Sequence, residues 1–159
     1  MSPIQYKFHK VFRETPDVIF YDISVEDSNA TDLVIHNGPA TSPPNKNEYP
    51  QFYIHLSQVD NNRVLSGSRE FQLINPIWEH PNHIIHLNRS SGALVIPKGT
   101  YHRSVSCEGG SILINQAIRD LDFDVTTEFI PVSVLDNEEL FHIWKNIEPI
   151  HQFSDGTIN

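Results

Sequence analysis

His102 follows the turn Pro97-Lys98-Gly99 after two intervening residues, in the stretch "GALVIPKGTYHRSV". A histidine exchanges its proton near neutral pH, so at the rim of a pocket it can serve as an acid, a base or a metal ligand. Strand alternation puts His102, Ser104 and Ser106 on one face and Arg103 and Val105 on the other. The same alternation sets Asn62 beside Asp60 as a candidate ligand donor and turns Arg63 away. Asn115 and Gln116 interrupt the apolar strand "SILINQAI", and one of them must face inward. A buried amide needs partners, which are either a ligand or neighbouring core groups. His80, His83 and His86 recur at intervals of three, but Pro81 and the pair Ile84-Ile85 disfavour the helix that would gather them. They read as structural, as do His9, His36, His142 and His151.

These residues need elements to position them, and the chain is rich in short strands. Runs such as "YKFHKVF", "DVIFYDISV", "DLVIH", "QFYIHLS", "NRVLSG", "REFQLI", "HIIHL", "ALVI", "HRSVS", "SILINQAI" and "TEFIPVSV" carry β-branched and aromatic residues. Turn-forming "NGP", "DNN", "SSG", "PKG" and "EGG" separate many of them. Closely spaced strands without interleaved helices predict an all-β fold, an antiparallel barrel or sandwich. Residues 37–50, with Pro39, Pro43, Pro44 and Pro50, form a loop that is either a connection or a lid. "DNEELFHIWKNIEP" predicts a short C-terminal helix over about 137–147, capped by Asp136 with Glu139 as its capping-box partner and packed through Leu140, Trp144 and Ile147.

The bulk numbers set limits. The 159 residues suffice for one domain with a core, with 38% hydrophobic and 19% charged residues. A net charge of -9 repels phosphate backbones, so no nucleic-acid partner is expected. One cysteine, Cys107, excludes a disulfide framework and a Cys-rich zinc site. "MSPIQYKFHK" lacks the apolar core of a signal peptide, and no run reaches the length of a membrane span. The expectation is a cytoplasmic protein without membrane contact.

"GALVIPKGTYHRSVS" resembles the second motif of the cupin superfamily, with Ser106 where an asparagine often stands. "DNNRVLSGSREFQL" is similar to the end of the first motif, in which an acidic residue, here Asp60, precedes a glycine, here Gly67, by seven positions. The motif-bearing stretch runs over about 51–118. The resemblance implies a single cupin-type, jelly-roll-like antiparallel β-barrel covering residues 1–159 and pairing as a homodimer, for which the two N-terminal runs offer apolar area. In metal-binding cupins the first motif supplies His-x-His. This chain has His55 but Ser57 in the partner position, so the residues left to hold iron, manganese, nickel or zinc are His55, Asp60 and His102.

The two segments also resemble the dTDP-4-dehydrorhamnose 3,5-epimerase group, cupins that act without metal. That likeness implies a histidine base, matched by His55, and a tyrosine acid beside a ketone. The position of that tyrosine reads "ILINQAIRD" here, which leaves Tyr53 or Tyr101 as substitutes. Three functions follow. The first is a metal-independent epimerase or isomerase of a polar metabolite or sugar nucleotide, using His55, His102 and a tyrosine, with Asn62, Ser104, Asn115 and Gln116 as ligand-binding candidates. The second is a metal-dependent dioxygenase with a two-histidine, one-carboxylate site. The third is a binding cupin without catalysis. Absence of His-x-His weighs against the second, and the displaced tyrosine against the first.

Overall fold

The computed structural model describes residues 2–153. In chain order its elements are β1 (Gln5–Lys7), β2 (Lys10–Glu14), β3 (Ile19–Asp22), β4 (Ala30–His36), β5 (Thr41–Ser42), β6 (Gln51–Phe52), β7 (Gln58–Ile74), β8 (Asn82–Asn88), β9 (Ala93–Ile96), β10 (Tyr101–Arg119), α1 (Val125–Glu128), β11 (Val132–Ser133), α2 (Glu138–Asn146) and β12 (Ile150–Gln152). A 3-10 turn, Val134–Asp136, leads into α2.

Two long strands organise the barrel. β7 and β10 run antiparallel from Gln58 against Arg119 to Ile74 against Tyr101. Midway both bend: the register shifts between Ser106 and Ser111, and Gly67 pairs with Ser111. Gly67 and Gly110 both take left-handed backbone, with φ of 75° and 79°. A Cβ on Gly67 would collide with the Gly110 carbonyl, and one on Gly110 with the His36 carbonyl. Only glycine admits so close a crossing. On one side of the bend the order is β1-β9-β7-β10-β4, and on the other β12-β8-β7-β10-β5. One sheet thus folds onto itself as a jelly-roll-like barrel. Between its walls lie Val64, Phe71, Leu73, Ile85, Leu87, Leu94, Ile96 and Leu113. A second cluster, Phe52, Ile74, Val134, Leu140 and Ile143, docks α2 against the barrel.

The all-β expectation holds, and the C-terminal helix forms and packs as expected. Several local readings are corrected. "NRVLSG" with "REFQLI", and "HRSVS" with "SILINQAI", are each one bent strand, because the glycines between them fold back to back inside the ladder. "DNN" is no turn: Asp60, Asn61 and Asn62 lie within β7, buried, with the Asn61 amide donating to the Gln116 carbonyl. "YKFHKVF" divides into β1, which pairs with β9, and β2, which pairs with β3. "TEFIPVSV" opens as α1, because the Asp124 carboxylate accepts from the Thr126 N–H and caps a helical turn despite β-branched Val125 and Thr126. The cap of α2 is Asn137, whose side chain accepts from the Leu140 N–H at 2.9 Å, and not Asp136, which lies in the 3-10 turn. No helix among the described residues is long and apolar enough to cross a membrane.

Candidate functional site

The turn at Pro97–Gly99 places two segments side by side. Gly99, with φ of 77°, closes it, and its N–H donates to the His55 carbonyl at 2.8 Å. Tyr53 and His102 then exchange both backbone hydrogen bonds, at 2.9 and 2.8 Å. Strand alternation turns His102, Ser104 and Ser106 inward, and all three are buried. His55 is held from the other side by the C-terminal end of α1. Its Nδ1 lies 2.9 Å from the Glu128 carbonyl, and its ring meets Phe129 edge-on at 5.5 Å.

Asp60 enters from β7. Its Oδ1 accepts from the Gln58 amide at 2.6 Å and the Asn115 amide at 2.9 Å. Both donors are themselves oriented: Arg119 donates to the Gln58 carbonyl oxygen at 2.7 Å, and the Asn61 N–H to that of Asn115 at 3.0 Å. Oδ2 is left for the histidines, 3.5 Å from His55 Nε2 and 3.5 Å from His102 Nε2. The two imidazole rings are 4.9 Å apart.

Tautomers follow from the outer partners. A carbonyl only accepts, so the His55 Nδ1 near Glu128 carries a proton, and so does the His102 Nδ1, 3.1 Å from the Thr100 carbonyl. In the neutral rings each Nε2 then presents a lone pair. Burial pushes the His102 imidazolium below its ordinary range, with Asp60 opposing and His55 reinforcing the shift. His102 Nε2 is therefore a free base at neutral pH. With both rings neutral, two nitrogen lone pairs and a carboxylate oxygen converge with no donor between them among the described residues. Such a trio is satisfied by a cation, either a mobile proton or a metal ion. The three ligand atoms lie within 4.8 Å of one another, which fits the spread of a two-histidine, one-carboxylate site.

A cavity of about 290 Å³ opens onto this trio. Tyr53, Asn62, Ser104, Asn115, Arg69, Phe71, Leu113 and Phe129 help to line it. The side chains of Asn62 and Ser104 are buried yet make no hydrogen bond among the described residues, which leaves them for a ligand. Tyr53 flanks both histidines, its ring 6.5 Å from His55 and 6.1 Å from His102. Wider depressions of about 670 Å³ near Arg63 and Tyr21 and about 760 Å³ near Trp78 bring no such trio together.

Two candidates are corrected. Tyr101 packs against the α2 cluster, and its hydroxyl accepts from Asn137 at 3.0 Å, away from the cavity. Gln116 faces outward: its carbonyl oxygen accepts from the Val25 N–H, and its amide donates to the Ile23 carbonyl, tying down the N-terminal segment. Asn115 lines the cavity, but its amide is committed to Asp60 and Asn61. Arg63 faces away from the cavity as expected, but is buried, reaching His9 and the Lys7 carbonyl. His86 and His151, read as structural, meet across β8 and β12 with Nε2 and Nδ1 3.1 Å apart and Glu70 3.5 Å from His86 Nδ1, on the outer face. Sequence reasoning missed Glu128, Gln58 and Arg69. Alternation could have flagged Gln58 and Arg69, whereas nothing local marks Glu128, 73 residues from His55.

No family model matches the chain, and no curated protein matches it. Solved structures do. QdtA, a 3,4-ketoisomerase from Thermoanaerobacterium thermosaccharolyticum solved with TDP-4-keto-6-deoxyglucose, is 17% identical, with 91% of this chain and 94% of that one covered at a TM-score of 0.62. The WlaRB TDP-quinovose 3,4-ketoisomerase from Campylobacter jejuni is 15% identical, covering 82% and 93% at 0.59. A dTDP-4-dehydrorhamnose 3,5-epimerase from Elizabethkingia anophelis is 10% identical, covering 79% and 73% at 0.57.

Proposed function

The chain has the cupin fold, and on that premise we propose that it is a metal-independent isomerase or epimerase that moves a proton beside the ketone of a sugar nucleotide. The observation that carries this reading is the aim of His55 Nε2 and His102 Nε2 at one oxygen of Asp60, inside a cavity that also holds Tyr53. His102 Nε2 takes the proton from the carbon next to the carbonyl. The C–H electron pair moves into a new C=C bond as the carbonyl oxygen takes up charge. Asp60 stabilises the imidazolium, and the Tyr53 hydroxyl protonates the oxygen. Return of a proton to the former carbonyl carbon, with loss of the hydroxyl proton on the carbon first deprotonated, shifts the ketone by one position. Return to the same carbon from the opposite face inverts it. His55 is the second proton carrier. Asn62 and Ser104 hold the hydroxyls of the ring. The structural neighbours that act on TDP-sugars support this class of ligand.

The test is proton exchange. With TDP-4-keto-6-deoxyglucose in heavy water, proton NMR should show deuterium entering beside the ketone, and His102→Asn should slow this by about 10²–10⁴-fold. A protein that binds the compound but exchanges no proton would sink the reading.

A second reading rests on the three converging ligand atoms. His55, Asp60 and His102 would hold a divalent iron, manganese, nickel or zinc ion, which supplies carbonyl polarisation or, for iron, oxygen activation. One equivalent of metal in the purified protein, lost on His102→Ala, would put the dioxygenase reading first. The expectation under the first reading is substoichiometric metal.

Assembly is part of the proposal. Phe8, Val11, Phe12, Val18, Ile19 and Tyr21 are exposed on and beside the β2–β3 hairpin, which pairs with no other strand among the described residues. We read this apolar face as the homodimer contact, and light scattering at micromolar protein should give twice the mass of the chain. A cytoplasmic setting agrees with the single free Cys107.

A further inference from the structure

We propose that the ligand carries a carboxylate on its sugar ring, held by Arg69 at the part of the cavity built from the bend. This rests on the sugar-nucleotide reading and narrows its substrate class. Arg69 is 3% exposed and lines the same cavity as the His55–Asp60–His102 trio. A buried guanidinium ordinarily pairs with a carboxylate, because leaving its charge uncompensated in a dry interior is costly. Here its partners are neutral. Nε donates to the Ser111 hydroxyl at 2.8 Å, and Nη2 reaches the Val34 and Ser111 carbonyls at 3.4 and 3.5 Å. Nη1 makes no hydrogen bond among the described residues and is not among the buried orphan atoms. The two carboxylates lining the cavity, Asp32 and Asp60, form no ion pair with it.

The groups hydrogen-bonded beyond these partners carry no negative charge either. Ser111 passes its hydrogen bonding to Ser106 at 2.6 Å, and Ser106 to His36 Nδ1 at 2.7 Å, a chain of neutral groups. Burial, aided by Arg69, lowers the His36 pKa, so no second cation joins it. Burial brings the Arg69 pKa down to about 10, which still leaves it charged at neutral pH. The cavity thus has two chemically distinct regions, one with a proton-transferring trio and one with an unpaired cation. A ring with a carboxylate satisfies both, since Nη1 is left to donate a charge-assisted hydrogen bond to it.

Calorimetric titration of the full chain with TDP-glucuronate and TDP-glucose separates the cases. The expected result is binding of TDP-glucuronate tighter by about tenfold or more, the scale of a charge-assisted hydrogen bond. Arg69→Gln should close that gap, and Arg69→Lys should keep part of it. Equal affinities in the unmodified protein would overturn the carboxylate and leave the sugar-nucleotide reading standing. Binding of neither compound would overturn both. A gap that survives Arg69→Gln in a protein with an unchanged circular-dichroism spectrum would assign the preference to another group and defeat the proposal. If Arg69→Gln does not fold, Arg69→Lys carries the test, and a gap undiminished there would defeat the proposal.

Discussion

At the scale of single residues, the trio depends on groups that never touch it through a charge. Asn115 is the clearest. Its amide donates to Asp60 Oδ1, and its carbonyl oxygen accepts from the Asn61 N–H, so it fixes both the carboxylate and the strand that carries it. It is a positioning residue. Asn115→Ala should reduce kcat about tenfold with KM nearly constant, because Oδ2 loses its aim while Asn62 and Ser104 remain to bind. Stability should fall by about 1–3 kcal/mol, since the Asn61 N–H is left buried without a partner. A rise in KM at constant kcat would show Asn115 to be a binding group instead. The sequence placed one amide of the Asn115–Gln116 pair inward. Which one, and that its partner would be Asp60, depends on the register of β10 against β7.

At the scale of elements, the bend in β7 and β10 is what makes one sheet into a cavity. The left-handed glycines are not equivalent there. At Gly99 an added Cβ would meet nothing within 4 Å, whereas at Gly110 it would strike the His36 carbonyl and come within 2.7 Å of the Gly38 nitrogen. Gly99→Ala should cost about 1–2 kcal/mol from backbone strain alone. Gly110→Ala should cost more than about 3 kcal/mol, because strain and collision with fixed backbone add. Urea unfolding of the two variants checks the difference, and equal losses would mean that the crossing can relax. The turn at Pro97–Gly99 was legible from its residues. The bend was not, because "EGG" reads equally well as a hairpin turn or as a bulge within one strand.

At the scale of the whole molecule, stability should depend on pH through buried neutral histidines. Burial lowers the pKa of His36, aided by Arg69, and of His83, aided by His80 against the hydrogen bond that the His83 ring donates to the His80 carbonyl. In the unfolded chain both titrate near the ordinary value of 6.5. Below that pH the unfolded state binds protons that the native state refuses, so stability is full above it and is lost as pH falls towards the native pKa values. Thermal unfolding should occur at a lower temperature at pH 5 than at pH 7.5, and His83→Gln should flatten the slope. A midpoint that stays constant over this range would contradict the assignment.

The sequence alone determined the strand-rich class, the C-terminal helix and the inward face of His102, Ser104 and Ser106. Those properties are local: they follow from a period of two, from β-branched and aromatic runs, and from a Pro-x-Gly turn. It also supplied His55 and Asp60 as partners for His102, through likeness to a known motif. Only the tertiary structure decided that their reactive atoms meet, that Tyr101 and Gln116 face away, and that Glu128 and Arg69 belong to the site. These depend on contacts between segments distant in the chain, such as His55 with Glu128 and Asp60 with Asn115. Strand register and the bend at Gly67 and Gly110 set those contacts, and neither is encoded in the spacing of the residues that use them.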